Sequence, residues 1–305
     1  MLSDRKVYLN GEFLDWEKAT VPIMSHSLAR GSAIFEVMSF HETHEGPAIF
    51  RLDEHVQRLF RTAELLSMEL PLTKGALAEA VRATVKTNNL TSGAIKLVSY
   101  YREIAFEVLS SQKTLDICIV AIDPALDLGG LSYGKPEGLS ACVSRWRKLH
   151  PETVPVEAKV AANYLNGMVA RLDCQKRGFD MAIMLDTEGF VAEGSTESVF
   201  FVNDGVLTTS ALGTVLQSIT RKSLLEAAQV MGIQTAERRM RPETIMEADE
   251  IFFSCSPHKI APVKRIEDRT IEAVPGPVTI KLMRGLDDIC SGKDPRFRDW
   301  LFPVT

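Results

Sequence analysis

Val154-Pro155-Val156-Glu157-Ala158-Lys159-Val160-Ala161-Ala162-Asn163-Tyr164 is the stretch on which the reading of this chain turns. It sets one lysine among valines and alanines. Desolvation disfavours an ammonium, so a lysine in such surroundings is a candidate for carrying a neutral amine. A neutral amine attacks an aldehyde, the chemistry of Schiff-base lysines. On the stretch alone, a lysine snorkelling out of a loop is the simpler account.

Other segments bear on that choice. Leu216-Gln217-Ser218-Ile219-Thr220-Arg221 reads as the start of a helix. Ser218 or Thr220 can cap it, and its free amides, with the positive end of the dipole, suit an anion. An ordinary capped helix explains the stretch equally well. Arg58 shares a helix face with His55 and Glu54; it can fork onto a phosphate or stand in water. Glu193 lies between Val191-Ala192 and Val199-Phe200. If buried it needs a partner, for which a pyridinium nitrogen would serve; if not, it is a turn residue in water.

Outward from these segments the chain is mixed α and β. Val7-Tyr8-Leu9 and Glu12-Phe13-Leu14 flank Asn10-Gly11, a hairpin signal. Strands are expected up to Phe40, through Ala48-Ile49-Phe50, and over Ala94–Tyr101 and Leu115–Ile122, with helices over Leu52–Leu66 and Leu77–Lys86. Pro124, Gly129, Gly130, Gly134, Pro136 and Gly138 mark a boundary. The expected domains are 1–125 and 138–305, joined by a linker over 126–137. Beyond it come a strand over Leu139–Val143, a helix from Asn163 to Arg177 and a meander of short strands from Met181 to Thr208. A helix over Arg221–Met231, a strand over Glu250–Ser254 and a helix over Gly276–Leu286 follow.

A chain of 305 residues fits two domains. A net charge of -5 and a pI near 5.8 argue against a nucleic-acid-binding surface, which needs a basic excess. The charged N-terminus has no apolar stretch behind it, so no signal peptide is expected. The longest apolar run, Ile117–Ile122, is far too short for a membrane span. Cys118, Cys142, Cys174, Cys255 and Cys290 are dispersed without CxxC spacing, which suggests neither a zinc site nor a disulfide framework. A reducing cytoplasm is the expected compartment, and no metal is expected.

Together the segments resemble the fold-type IV pyridoxal-phosphate enzymes, most closely the branched-chain amino acid aminotransferase family. The match runs in family order along nearly the whole chain. It comprises Tyr8-Leu9-Asn10-Gly11-Glu12, Met24-Ser25-His26-Ser27-Leu28, Gly31 with Phe35-Glu36, and Phe50-Arg51-Leu52 with His55 and Gln57-Arg58-Leu59. Ala158-Lys159 with Asn163-Tyr164-Leu165, Glu193-Gly194 with Glu197, Ile219-Thr220-Arg221, and Ala248-Asp249-Glu250 before Pro262-Val263 complete it. The resemblance implies an α+β, two-domain fold with a small N-terminal α/β domain and a larger pseudo-barrel domain, pyridoxal 5'-phosphate in the cleft, and a homodimer or higher oligomer. It implies an aminotransferase that passes nitrogen from an amino donor to a 2-oxo acid in a ping-pong cycle. Lys159 would carry the cofactor as a Schiff base, Glu193 pair with the pyridine nitrogen, and Tyr164 donate to the ring phenolate. Arg58, the Ile219 and Thr220 amides, the Thr220 hydroxyl, Ser218 and Ser256 would hold the phosphate, and Leu216 would pack on the ring.

The departures gather on the substrate side. The family usually follows Phe-Glu with glycine, an apolar residue and arginine; here Val37-Met38-Ser39 follows Phe35-Glu36. A tyrosine becomes Arg30, and an aromatic residue and an arginine become Ala94 and Lys96. Phe35, Arg30 and Lys96 are therefore the candidate substrate-binding residues. Arginine is the better match to a carboxylate, through its planar fork. A D-amino acid or amine transaminase remains the alternative. An aminodeoxychorismate lyase-type enzyme usually has a threonine where Met38 and Ser39 stand. A non-catalytic binding protein is disfavoured by the intact Lys159, Glu193, Tyr164 and Arg58.

Overall fold

Asn10 and Gly11 take positive φ, 50° and 102°, and turn β1 (Lys6–Leu9) onto β2 (Glu12–Asp15) with Leu9 opposite Glu12. Positive φ at both central residues is what a tight hairpin turn of this hand requires. The hairpin opens the first of two units in the computed structural model, which describes residues 2–129, 137–256 and 259–304. That unit comprises Met1–Ser132, Ala158–Ala162 and Asp288–Thr305. Of the expected linker 126–137, residues 130–136 lie outside the described residues.

The unit continues through α1 (His26–Arg30), β3 (Ile34–Thr43), β4 (Gly46–Phe50), α2 (Leu52–Leu65), α3 (Lys74–Thr87), β5 (Gly93–Tyr100), β6 (Asp116–Ile122) and the short α4 (Pro124–Asp127). Strand alternation gives the sheet two unlike faces. Ile34, Met38 and Phe40 of β3, with Ile95, Leu97, Ile117 and Ile119, are buried with Leu52, Val56 and Leu59 of α2 and Leu77, Val81 and Val85 of α3. Both helices have the 3.6-residue apolar spacing that this packing needs. The opposite face carries Phe35, Val37 and Val98, all half-buried, and the exposed Lys96.

Two stretches beyond residue 138 join this unit, which corrects the expected contiguous division. Val160 bridges Ile34, the Phe35 amide donates to Lys159 O at 3.1 Å, and the Ala161 amide donates to Ala33 O at 2.8 Å. The segment thus satisfies its backbone along the start of β3. The C-terminal strand, Leu301–Pro303, pairs antiparallel with β4 and gives the sheet its seventh strand.

The second unit, Tyr133–Glu157 with Asn163–Asp287, holds a nine-stranded sheet. Its elements are β7 (Leu139–Val143), α5 (Tyr164–Lys176), β8 (Met181–Leu185), β9 (Val191–Gly194), β10 (Ser198–Asn203), β11 (Val206–Thr209), α6 (Ile219–Val230), β12 (Thr235–Glu237), α7 (Pro242–Met246), β13 (Glu250–Ser254), β14 (Ala261–Ile266) and β15 (Arg269–Thr270). The chain then forms α8 (Pro277–Cys290) and ends in the strand on β4, β16 (Leu301–Pro303). The order is β12-β11-β10-β13-β14-β7-β8-β9, with β15 on β14. The expected meander fails at one step: β9 pairs with β8, whereas β10 pairs with β11 and β13. The helical crossover through α5 makes β7 and β8 parallel neighbours, which carries the β8–β9 hairpin to the far end of the sheet. Val199, Phe201, Ile251 and Phe253 line one buried face. No helix among the described residues is long and apolar enough to cross a membrane. No group of three or more His, Cys, Asp or Glu among them is arranged to hold a metal ion.

Candidate active site

Lys159 sits where the chain runs along β3. Its amide donates to Thr62 Oγ1 at 3.1 Å, and its carbonyl accepts from Phe35. Ala158 and Val160 point into the core, so the alternation of an extended segment sends Lys159 the other way, to a half-buried position. Its Nζ lies 4.8 Å from the centroid of the Phe35 ring, and the Lys96 Nζ lies 5.6 Å from the same centroid. The first unit thus gathers Lys159, Phe35 and Lys96.

Beneath them is a buried ion cluster. Arg58 donates through Nε to Glu36 Oε1 at 2.7 Å and through Nη2 to Oε2 at 2.6 Å; His55 Nδ1 donates to Oε2 at 2.7 Å. Glu36 is fully buried. Burial pushes its carboxyl up, but the charge and fork of Arg58, aided by His55, overcome this and hold it at about 2. Burial also pushes the His55 imidazole below its ordinary value, against the pull of Glu36. His55, Arg58 and Thr62 share one face of α2, so a single helix engages both Glu36 and the Lys159 backbone. Arg58, expected at a phosphate, commits its Nε–Nη2 edge to a carboxylate.

Arg30 is exposed. It donates through Nη2 to Phe106 O at 2.6 Å and through Nε to Glu107 O at 3.5 Å. The nearby loop is held again by His26, whose Nε2 is 3.0 Å from Val108 O.

In the second unit Glu193 lies on β9 opposite Met184, only 7% exposed, and its Oε1 is ion-paired with Lys148 Nζ. Tyr164 opens α5 and is half-buried. A Cβ at Gly167 would stand 2.0 Å from Ser195 O, so α5 reaches the turn after β9 only because that position has no side chain. Arg171 ties the same turn down, donating to Ser195 Oγ at 3.1 Å and to Glu197 Oε1 at 2.7 Å.

Ser218 caps α6, its Oγ accepting from the Arg221 amide at 3.2 Å. The first amides of any helix lack an intrahelical acceptor, here including Ile219 and Thr220. Thr220 Oγ1 stands 3.5 Å from Ser256 Oγ, so two expected phosphate residues converge beside that helix start. Ser254, two residues before Ser256, has a buried hydroxyl with no hydrogen-bond partner among the described residues. Leu216 is half-buried just ahead of the cap. Pro257 and His258, which follow Ser256, lie outside the described residues.

Sequence reasoning passed over Lys148 and the role of Glu36. Arg145, Arg147 and Lys148 form a cationic run in which nothing local says which one is buried. Glu36 did leave a signal: an acid inside an apolar strand calls for a cation.

Residues 33–266 match the model of the amino-transferase class IV family. A branched-chain-amino-acid aminotransferase of Pseudomonas aeruginosa is 33% identical over 97% of this chain and 96% of its own length. The branched-chain aminotransferase of Thermoproteus uzoniensis, solved with norvaline, matches with a TM-score of 0.92 at 34% identity over 99% of each chain. The branched-chain amino acid aminotransferase of Thermobaculum terrenum, solved in its PLP-bound holo form, matches with a TM-score of 0.90 at 27% identity over 100% of each chain. A family match over most of the length and a shared fold at that identity lead to one conclusion: the chain belongs to amino-transferase class IV, the fold-type IV, pyridoxal-phosphate-dependent transaminases.

Proposed function

We propose that this aminotransferase takes nitrogen from a branched-chain-like amino acid and gives it to a 2-oxo acid, with Lys159 as its catalytic residue. The observation that carries the reading is the half-buried Lys159 amine beside Phe35, its backbone fixed on both sides. The residues fit the cofactor: a held amine, a buried carboxylate, and two hydroxyls converging at a helix start, with the unsatisfied Ser254 two residues before Ser256 in the chain. When bound, pyridoxal phosphate supplies an aldehyde and an electron-withdrawing ring that stores nitrogen between the two half-reactions.

Each residue then has one task. Lys159 Nζ takes and returns the proton at the donor's Cα. Glu193 pairs with the ring nitrogen, and Tyr164 donates to the ring oxygen. Thr220, Ser256, Ser218, the Ile219 amide and Arg58 hold the phosphate, and Leu216 packs on the ring. Phe35 forms an apolar wall for the donor's side chain. Lys96, whose ammonium stands over the Phe35 ring, is the better of the two cations for the substrate carboxylate, because Arg30 is engaged by Phe106 O and Glu107 O.

The names of the relatives support a branched-chain donor. The changed residues Arg30, Ala94 and Lys96 support a D-amino acid or amine donor as the second reading. The lyase reading loses support because Met38 is buried in the core and Ser39 Oγ contacts His41 Nε2 at 3.0 Å. A cytoplasmic homodimer is the proposed state. The exposed Ile104, Phe106, Val108 and Leu109 on one braced loop support a partner-covered surface.

The test is a donor panel of L-Leu, L-Val, D-Ala, D-Glu and (R)-1-phenylethylamine with 2-oxoglutarate or pyruvate as acceptor. Turnover of the L-branched-chain donors is expected, and turnover of D-Ala or the amine alone would overturn the substrate reading. Borohydride treatment followed by peptide mapping should find the pyridoxyl group on Lys159; finding it elsewhere would refute the assignment.

A further inference from the structure

We propose that Lys148 is a positioning residue that holds Glu193 by one oxygen and leaves the other for the cofactor's ring nitrogen. The proposal rests on the reading of Glu193 given above and adds a residue that reading does not contain.

Lys148 and Glu193 form the pair with side chains only 12% and 10% exposed. Surface ion pairs of long side chains are loose, since both partners keep their rotamer freedom. This pair is different because the backbone on each side is fixed. The Lys148 amide donates to Leu185 O, at the end of β8, at 2.8 Å. Glu193 lies across from Met184, the residue before Leu185. Asn166 then brackets Lys148: its Nδ2 donates to Arg147 O at 3.0 Å, and its Oδ1 accepts from the Leu149 amide at 3.2 Å. Asn166 is on α5, two residues after Tyr164. One short network therefore links the helix that begins with Tyr164 to the loop that fixes Glu193.

The division of the carboxylate follows from the donor chemistry. An ammonium is a point charge that takes one oxygen, where a guanidinium fork takes two. Lys148 makes its closest contact with Oε1, and Glu193 pairs with no other cation among the described residues. A carboxylate held at Oε1 and open at Oε2 presents one oriented acceptor. Without Lys148 the apoprotein keeps a buried carboxylate with no cation beside it, which is costly, and nothing fixes which way its oxygens face. A Glu193 side chain that is free to turn no longer offers the ring nitrogen an oriented negative charge.

The experiment compares K148M, K148R, E193Q and the double variant K148M/E193Q. Each is measured for kcat, KM, the visible absorption and circular dichroism of the bound cofactor, pyridoxal phosphate binding to the apoprotein, and apoprotein melting. E193Q should lower kcat and shift the visible spectrum. K148M should reproduce that spectral shift and lower kcat by about tenfold or more, the scale of lost outer-shell partners. K148R should return the apoprotein melting temperature, since the counter-charge is restored, but kcat and the spectrum only in part, since its fork can take both carboxylate oxygens. Because Lys148 acts through Glu193, the double variant should lose no more than E193Q alone. In the apoprotein, K148M should melt lower and the double variant should recover, since neither partner is then left charged and alone. If E193Q leaves kcat and spectrum unchanged, the assignment of Glu193 fails and the proposal with it. If E193Q has its effect but K148M keeps the wild-type spectrum, or the losses in the double variant multiply, Lys148 does not act through Glu193 and the proposal is overturned.

Discussion

Replacing Glu36 with glutamine tests the buried cluster that underlies Lys159. Glutamine keeps the shape and removes the charge, leaving Arg58 and His55 with an amide where the carboxylate stood. The Glu36 carboxyl is held at about 2 against an ordinary 4.5. At about 1.4 kcal/mol per pH unit, that difference corresponds to about 3 kcal/mol of folding stability at neutral pH. Breaking one side of a buried ion pair costs about the same or more. The folded carboxyl titrates below the unfolded one, so between those two values the unfolded chain binds more protons. The contribution is therefore full above about pH 4.5 and fades as pH falls toward 2. His55, pushed down by burial, adds a separate loss as pH falls below its ordinary 6.5. At pH 7 the Glu36→Gln apoprotein should melt roughly 6–12 °C below wild type. The gap measured by urea unfolding should narrow between pH 4.5 and 2.5. Equal melting at pH 7, or a gap that does not change across that acid range, would refute the reasoning.

Gly167→Ala should force α5 away from Ser195 O, where the new Cβ would otherwise stand at 2.0 Å; about 1–3 kcal/mol of stability should be lost, and an unchanged melting temperature would show that the turn gives way freely. Lys96→Met should raise KM for amino-acid donors by roughly tenfold, the scale of one lost charge-assisted contact, and leave any turnover of (R)-1-phenylethylamine unaffected. Arg30→Ala should affect all donors alike, because it loosens the loop at Phe106 and Glu107; a loss confined to carboxylate donors would return the role to Arg30. Thr220→Val should speed loss of pyridoxal phosphate on dialysis, since it removes one of two hydroxyls converging at the start of α6; retention equal to wild type would point to another anchor.

What the sequence determined by itself is what depends on near neighbours in the chain. Asn10-Gly11 specifies its hairpin through two positive φ values. The apolar spacing of Leu52, Val56 and Leu59 specifies α2, and the candidate capping residues Ser218 and Thr220 specify to within a few residues where α6 begins. The ordered family segments around Lys159, Glu193 and Thr220 were equally legible, because they are local signatures. Tertiary structure alone decided the rest. Lys159 belongs to the first unit although its neighbours in sequence belong to the second, because the free hydrogen-bonding edge at the start of β3 takes residues 158–162. The order β9-β8 and β11-β10-β13 came from a crossover helix that no strand announces. The partners of Glu36 and Glu193 were hidden for the same reason. A buried charge states in the sequence that it needs a counter-charge, but which of many cations supplies it is decided only when packing has fixed which side chains lose their water.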